Sequence, residues 1–218
     1  MTLPNHSWED KARRSDDLLA AAESVALELG GVRFVTVAAV TDKAGIHRTG
    51  VRRYYASKED LLLELAERGW GQWRDAVKKA AEDRLDLGPV DAATILVETI
   101  TSLPVFCDLL AHVAMRLEDD VGIERARRYK FVAFAAHDEL IGALQRSSAM
   151  APAHVETLVT TTVALTASLW QTANPSPTLA RLYEQEPDWG HYALDFKPRL
   201  TLILQATAIG LAEVLPTT

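Results

Sequence analysis

The residues best suited to binding another molecule are basic and lie close together near the N-terminus. Lys43, Arg48, Arg52, Arg53 and Lys58 occur in a segment that contains no acidic residue. The whole chain of 218 residues has a net charge of -7, so this segment is a local basic island in an acidic protein. Such an island is typical of a surface that binds a polyanion.

The spacing of residues around this island predicts two short helices joined by a tight turn. Thr36 can cap the N-terminus of a helix from Val37 to Ala44, and Gly45 follows as the residue that adopts the left-handed conformation at no steric cost. A second short helix is predicted from about Arg48 to Tyr54. The pattern is the sequence form of a helix-turn-helix.

The segment resembles the DNA-binding domain of TetR/AcrR-type transcriptional regulators, which are two-domain, all-helical homodimers. The combination of a helix-turn-helix, an aromatic pair and a Ser-Lys-Glu helix start makes the resemblance specific. It implies a ligand-responsive regulator, more often a repressor, that binds a palindromic double-stranded DNA operator as a homodimer and is released by a small molecule. The residues that carry the resemblance are Thr36, Val40, Ala44, Gly45, Ile46, Val51, Tyr54, Tyr55, Ser57, Lys58, Glu59 and Leu61.

The second short helix is the candidate for reading DNA sequence. If it enters the major groove, Arg48 near its start is suited to a guanine, because its planar fork matches O6 and N7 together. The resemblance implies that Tyr54 and Lys58 bind phosphates, and the N-terminus of the next helix favours an anion beside Lys58. The full candidate set is Lys43, His47, Arg48, Thr49, Gly50, Arg52, Arg53, Tyr54 and Lys58.

Each candidate also has a structural interpretation. The arginines of the island could form a solvated basic face, and Val51 and Tyr55 are predicted to pack in the core rather than to contact DNA. Arg13 and Arg14 could form an arm that touches DNA, but acidic residues follow at 16–17, so a solvated helix face is an equal alternative.

Helical periodicity dominates the chain and strand alternation is nearly absent, so the predicted fold class is all-α. We expect an N-terminal three-helix domain with the helix-turn-helix at residues 1–56 and a ligand-sensing and dimerisation domain, a helical bundle, at residues 57–218. A long helix from the cap Ser57 to about Leu85 joins them. Further helices are predicted over Pro89–Ser102, Pro104–Leu117, Ile123–Arg146, Pro152–Ala173 and Pro198–Leu215, with a proline-broken connection at 174–197.

The helices Pro152–Ala173 and Pro198–Leu215 are apolar or small nearly all round, with no charge over 158–169 or 200–211. One side must pack on its own domain, and the other could form a four-helix interface with a second copy. The alternative is that both are core helices of a monomer. The candidate interface residues are Val155, Leu158, Thr162, Leu169, Leu200, Ile203, Leu204, Thr207 and Leu211.

The resemblance implies that a small, largely apolar effector sits inside the bundle, where apolar walls and a few polar groups are needed. Every candidate could equally be a core residue. The polar row Asp108, His112 and Arg116 is interpreted as a solvated or salt-bridged face. The candidate effector residues are Phe106, Leu109, His112, Val113, Met115, Phe131, Phe134, Ile141 and Trp170.

Several classes of protein are disfavoured. A charged N-terminus and the lack of a run of 18 apolar residues argue against secretion and membrane spanning, so a cytoplasmic location is expected. A single cysteine excludes an intramolecular disulfide, and the six histidines show no metal-ligand spacing. No phosphate loop or nucleophile motif predicts an enzyme or a cofactor. An all-α enzyme and a helical protein- or ligand-binding module without DNA binding remain as alternatives, which salt-dependent DNA retention would distinguish.

Overall fold

The computed structural model describes residues 5–47, 50–192 and 195–213. Over these residues the fold is all-α, as predicted, and contains no β-strand. The helices are α1 (Asn5–Leu29), α2 (Val37–Ala44), α3 (Lys58–Ala81), α4 (Pro89–Thr101), α5 (Pro104–His112), α6 (Ile123–Ser147), α7 (Pro152–Ala173), α8 (Pro177–Gln185) and α9 (Phe196–Glu213).

The predicted second helix of the helix-turn-helix is shorter and tighter than expected. Its described part is a 3-10 turn over Val51–Arg53, in which Arg53 N–H donates to the Gly50 carbonyl at 3.2 Å and Tyr54 N–H donates to the Val51 carbonyl at 2.9 Å. So short a segment bears the full cost of helix nucleation for few hydrogen bonds. Gly50 precedes the turn, and a Cβ there would lie 3.0 Å from the His47 carbonyl oxygen. Arg48 and Thr49 lie outside the described residues.

Prolines mark helix starts as the sequence predicts, but several helix ends differ. Pro89, Pro104 and Pro152 each occupy the first turn of a helix. The helix predicted over Pro104–Leu117 ends at His112 and continues as a π-helical turn over Val113–Leu117. The long helix predicted to reach Leu85 ends at Ala81, because Asp83 and Asp86 adopt φ of 57° and 56°, which an α-helix cannot contain. The connection at 174–197 contains α8, and α9 begins at Phe196 rather than at Pro198.

Helix α3 is the element that both halves of the fold share. Its N-terminal part packs against α1, and its length lies against α4, α5 and α6. At its centre Trp70, Trp73 and Phe106 form an aromatic cluster with ring centroids 5.3–6.3 Å apart. The two indoles keep their polar atoms bonded, since Trp70 Nε1 donates to Tyr129 and Trp73 Nε1 donates to Thr99, both at 3.1 Å.

Cys107 lies inside this packing. The residue is fully buried, and its thiol sulfur is 3.2 Å from the Ile100 carbonyl oxygen. Burial raises the pKa of the thiol to about 12, so Cys107 stays protonated and unreactive near neutral pH.

Helices α7 and α9 pack on each other and on α5 and α4. This packing corrects five of the nine predicted interface residues, which are at most 1 % exposed within the chain itself: Val155, Leu158, Thr162, Leu200 and Leu204. They belong to the chain's own core. Because α7 and α9 are apolar or small nearly all round, the sequence did not show which side of each helix faces inward. Leu169, Ile203, Thr207 and Leu211 are half-buried. The outward stripes are Thr157, Thr160, Ala164 and Ser168 on α7 and Leu202, Ala206, Ile209 and Gly210 on α9.

No individual helix in the described ranges is long and apolar enough to cross a membrane. Helices α4 and α5 pass that test of length and composition only as a pair, and they bend by 91° at their junction.

The absence of a side chain at Gly69 allows Phe106 to reach the backbone of α3. A Cβ at Gly69 would lie 2.3 Å from Phe106 Cδ2 and 2.9 Å from Phe106 Cβ, whereas a Cβ at Gly71 on the same helix would meet only Arg74 Nη2 at 3.9 Å. We therefore expect Gly69→Ala to destabilise the fold by about 1–3 kcal/mol. Gly71→Ala should stabilise it by up to about 1 kcal/mol, because alanine favours the helix. Urea unfolding checks both values, and shifts of the same sign would contradict this account of Gly69.

Candidate nucleic-acid interface and adjacent cavity

The helix-turn-helix has the caps that its sequence predicts. Thr36 is extended, and its hydroxyl accepts a hydrogen bond from Ala39 N–H at 3.1 Å at the start of α2. Gly45 has φ of 64°, and Ile46 N–H donates to the Thr41 carbonyl at 2.9 Å, which closes the end of α2. The chain therefore leaves α2 in one fixed direction towards the basic residues.

Tyr55 fixes the far end of the turn. Its ring is 3 % exposed, and its hydroxyl lies 2.7 Å from Ser15 Oγ on α1 and 3.4 Å from Glu64 Oε1 on α3. Burial raises the pKa of Tyr55, so the phenol remains a neutral hydrogen-bonding group. Val51 is also buried, and the prediction that these two residues pack in the core is confirmed.

The predicted DNA-binding residues differ in their solvent exposure and in their contacts with other residues. Arg52 and Arg53 are exposed on the 3-10 turn, and His47 is exposed before it. Lys43 is exposed on α2 and is ion-paired with Glu28 of α1. Gly50, Tyr54 and Lys58 are half-buried.

Lys58 stands at the start of α3, beyond the cap Ser57, whose hydroxyl accepts from Asp60 N–H at 3.1 Å. The Lys58 ammonium donates to the Arg33 carbonyl at 3.3 Å. In this conformation Lys58 stabilises the connection between α1 and α2.

Basic residues of α1 lie beside the turn. Lys11, Arg13 and Arg14 line an open groove together with Asp10 of α1 and with Arg53 and Tyr54 of the turn. Arg13 is paired with Asp10 at 2.6 Å on the exposed surface. Of the two acidic residues that follow at 16–17, Asp16 points away from the groove, since it lies 3.8 Å from Arg68 of α3. Helical spacing was the available signal, because Lys11 and Arg14 are three residues apart and share a face.

Beside this interface, a cavity of about 230 Å³ lies where the end of α1 meets α5 and α7. We call it the joint cavity. It is lined by Ala26, Leu27, Gly30, Gly31, Val32, Arg33, Pro104, Val105, Asp108, Trp170, Gln171 and Asn174.

Asp108 is the buried polar residue of the joint cavity, with 6 % exposure. Its Oδ2 accepts from the backbone N–H of Val32 at 2.7 Å, and its Oδ1 accepts from Gln171 Nε2 at 2.8 Å. His112 Nε2 lies 3.6 Å from Oδ1, which is long for a hydrogen bond. Burial alone would raise the pKa of this carboxyl, but the His112, Val32 and Gln171 interactions outweigh it and hold the pKa below its usual value. Asp108 is therefore ionised near neutral pH and links α5 to the segment that enters α2.

Gly31 makes this link possible. Its φ of 149° is rarely adopted by other residues, and a Cβ there would lie 3.2 Å from Asp108 Oδ2. Gly31 N–H also donates to the Ala26 carbonyl at 2.8 Å, which terminates α1.

Comparison with known proteins identifies the family. Residues 67–214 match the model of the tetracyclin repressor-like C-terminal domain, and this match spans more than half of the chain. The chain belongs to the TetR family of transcriptional regulators. As a TetR-family protein it joins this C-terminal domain to the N-terminal helix-turn-helix described above.

Two solved structures share the fold of this TetR-family chain. A possible TetR family transcriptional regulator from Streptomyces coelicolor A3(2) is 19 % identical, with a TM-score of 0.54 over 94 % of this chain and 100 % of its own. A TetR-family transcriptional regulator from Mesorhizobium loti is 12 % identical, with a TM-score of 0.51 over 92 % of this chain and 96 % of its own. No curated protein matches the chain significantly.

The residues predicted to bind an effector in this TetR-family chain do not form one site. Phe106, Leu109, Val113 and Ile141 are buried in the core. Trp170 lines the joint cavity, and His112 lines a smaller cavity of about 140 Å³ on the other side of Val32 and Arg33. The side chain of Met115 lies outside the described part of the chain.

Phe131 and Phe134 correct the prediction most clearly. They are 76 % and 60 % exposed on the outer face of α6, because the apolar face of α6 that packs on α3 is formed by residues such as Ala133 and Leu140.

The polar row Asp108, His112 and Arg116 runs from α5 into a π-helical turn over Val113–Leu117. The salt-bridged interpretation of this row holds, since His112 Nε2 lies 3.6 Å from Asp108 Oδ1 and the exposed Arg116 is paired with Asp120 at 3.1 Å. Asp108 itself is buried rather than solvated.

Proposed function

We propose that this TetR-family regulator binds a palindromic DNA operator as a homodimer, represses transcription, and is released by a small molecule. The observation that carries the proposal is the capped helix-turn-helix whose described turn presents Arg52 and Arg53 to solvent beside the basic face of α1. In this proposal residues 1–56 bind DNA and residues 57–218 bind the effector and the second subunit.

The proposed mechanism is a population shift. A dimer binds tightly only when its two reading segments match successive major grooves, about 34–36 Å apart. An effector that binds more tightly to a dimer state whose reading segments have another separation favours that state. The affinity for DNA then falls by at most the factor by which the effector prefers it.

The decisive experiment is to incubate the purified chain with a genomic fragment library and to sequence the DNA that it retains. We expect one palindromic sequence to be enriched, with retention that falls as salt rises. A helical module or an enzyme without DNA binding would enrich no sequence, and that outcome would overturn the proposal.

Arg53 is expected to anchor the DNA backbone. Arg53→Ala should weaken binding to operator and random DNA alike and reduce the slope of log K against log salt by about one unit. Arg127→Ala is the matched control, because Arg127 is an exposed arginine on α6 that pairs with Glu124. Fluorescence anisotropy over a salt series measures both, and an unchanged slope for Arg53→Ala would remove this residue from the interface.

Arg48 is expected to read a base. Its assignment rests on the sequence, since it lies outside the described residues. Arg48→Ala should cost about 1–3 kcal/mol on the operator and leave binding to random DNA nearly unchanged. Competition binding with both DNAs separates the two effects, and equal losses would show that Arg48 contacts only phosphates.

The uncharged outward stripes of α7 and α9 are the proposed dimer interface. Leu202 and Ile209 are 62 % and 52 % exposed, and the small residues Ala164, Ala206 and Gly210 allow helices to approach closely. A second copy would bury this surface from water.

Two substitutions on one helix separate the interface from the core. Ile209→Glu should leave the fold intact and split the dimer, because it adds a charge to the outward stripe. Leu204→Glu should unfold the chain, because Leu204 is fully buried and an unpaired buried charge costs about 3–5 kcal/mol. Light scattering and circular dichroism measure both. A monomeric native chain at micromolar concentration would refute the interface.

A further inference from the structure

We propose that the joint cavity binds a small organic cation, an ammonium or amidinium group on a short hydrocarbon, and that this cation is the effector. The inference rests on the proposed function, because only a ligand-responsive regulator needs an effector. It is carried by a buried negative charge, an apolar wall and a direct link to the DNA-reading segment.

The charge belongs to Asp108. A carboxylate can accept about four hydrogen bonds, and the two short ones to Asp108 come from neutral groups, the Val32 amide and the Gln171 side chain. His112 is the third neighbour, at 3.6 Å. Among the described residues no lysine or arginine is ion-paired with Asp108. Arg33 also lines the cavity, but its guanidinium lies over the Phe34 ring, 4.7 Å from the centroid.

Buried charges in proteins are normally paired, because an uncompensated charge away from water is costly. His112 Nε2 is the nearest ring nitrogen but lies 3.6 Å from Asp108 Oδ1, so a cation in the joint cavity would approach the carboxylate more closely and supply a direct ionic partner. A carboxylate ligand would instead meet a like charge at the buried side of the cavity.

The rest of the cavity suits a short hydrocarbon. Leu27, Val105 and Trp170 form apolar walls. The Trp170 ring is held by an edge-on contact with the Phe196 ring, whose centroid lies 5.0 Å from its own. An indole face also attracts cations. The volume of about 230 Å³ equals the space of about eight water molecules, so the ligand is small.

Binding there acts directly on the segment that enters α2. A cation that draws the Asp108 carboxylate away from Val32 weakens the hydrogen bond that holds the 3-10 turn Val32–Phe34 against α5. The buried Val32 amide would then lose its acceptor, which is costly, so the turn shifts to regain a hydrogen bond. The liganded state therefore has a different orientation of α2 relative to the bundle, which is what a population shift requires.

Three probes of matched size test the chemistry: benzylammonium, benzyl alcohol and benzoate. We expect benzylammonium to bind the full chain about tenfold more tightly than benzyl alcohol, and benzoate not to bind. Asp108→Asn should abolish this preference. The control Asp138→Asn should keep it, because Asp138 also lies 3.6 Å from a histidine but is exposed on α6. Isothermal titration calorimetry measures each affinity.

A second variant keeps the test valid if Asp108→Asn fails to fold, which circular dichroism detects. Leu27 lines the cavity and is 55 % exposed, so Leu27→Trp blocks the cavity without entering the core. Loss of benzylammonium binding in this variant supports the site. Unchanged binding in Leu27→Trp, or equal binding of the ammonium and the alcohol to the native chain, overturns it.

Release of the operator DNA recovered in the retention experiment distinguishes the effector proposal from the proposed function. Benzylammonium should release operator DNA from the native chain and from Asp138→Asn, but not from Asp108→Asn. Selective cation binding without release of DNA overturns the effector role. If no DNA is retained at all while the cation still binds, the proposed function is overturned and the cation site stands.

Discussion

The close contact between Phe106 and the backbone of α3 at Gly69 is the constraint on which the rest of the structure depends. It sets the distance between α3 and α5, and α3 is the helix that both the helix-turn-helix and the bundle share. Asp108 lies two residues beyond Phe106 on α5 and therefore on another face of the helix. The placement of α5 then fixes where the Asp108 carboxylate meets Val32, and so fixes the entry into α2. One missing side chain in the bundle thus governs the position of α2 and the helix-turn-helix.

The N-terminal third was the part most open to prediction from sequence, because its signals are local. Thr36, Gly45 and Ser57 act through their own backbone neighbours, so their caps could be inferred without knowledge of packing. The prolines that begin α4, α5 and α7 are equally local. The tight 3-10 turn at Val51–Arg53 was the exception, since a three-residue turn and a short helix share the same pattern.

The bundle was less predictable because its signals depend on neighbours distant in sequence. Helices that are apolar or small nearly all round offer two sides for packing, so the sequence could not show that the side with Leu204 faces the chain's own core and the side with Ile209 faces outward. Aromatic side chains on α6 were taken as inward, yet Phe131 and Phe134 face solvent. Asp108 was misread for the opposite reason. A carboxylate on a helix is usually solvated, and burial of this one depends on hydrogen bonds from the Val32 amide, in the connection after α1, and from Gln171 on α7.

Cys107 has a practical consequence. Because the only thiol of the chain is buried and stays protonated, maleimides and methanethiosulfonates will not react with it in the native state. A cysteine introduced at an exposed position will then be the single site to accept a fluorophore or spin label, with no need to remove the native residue. The chain is therefore ready for labelling at one chosen position in solution.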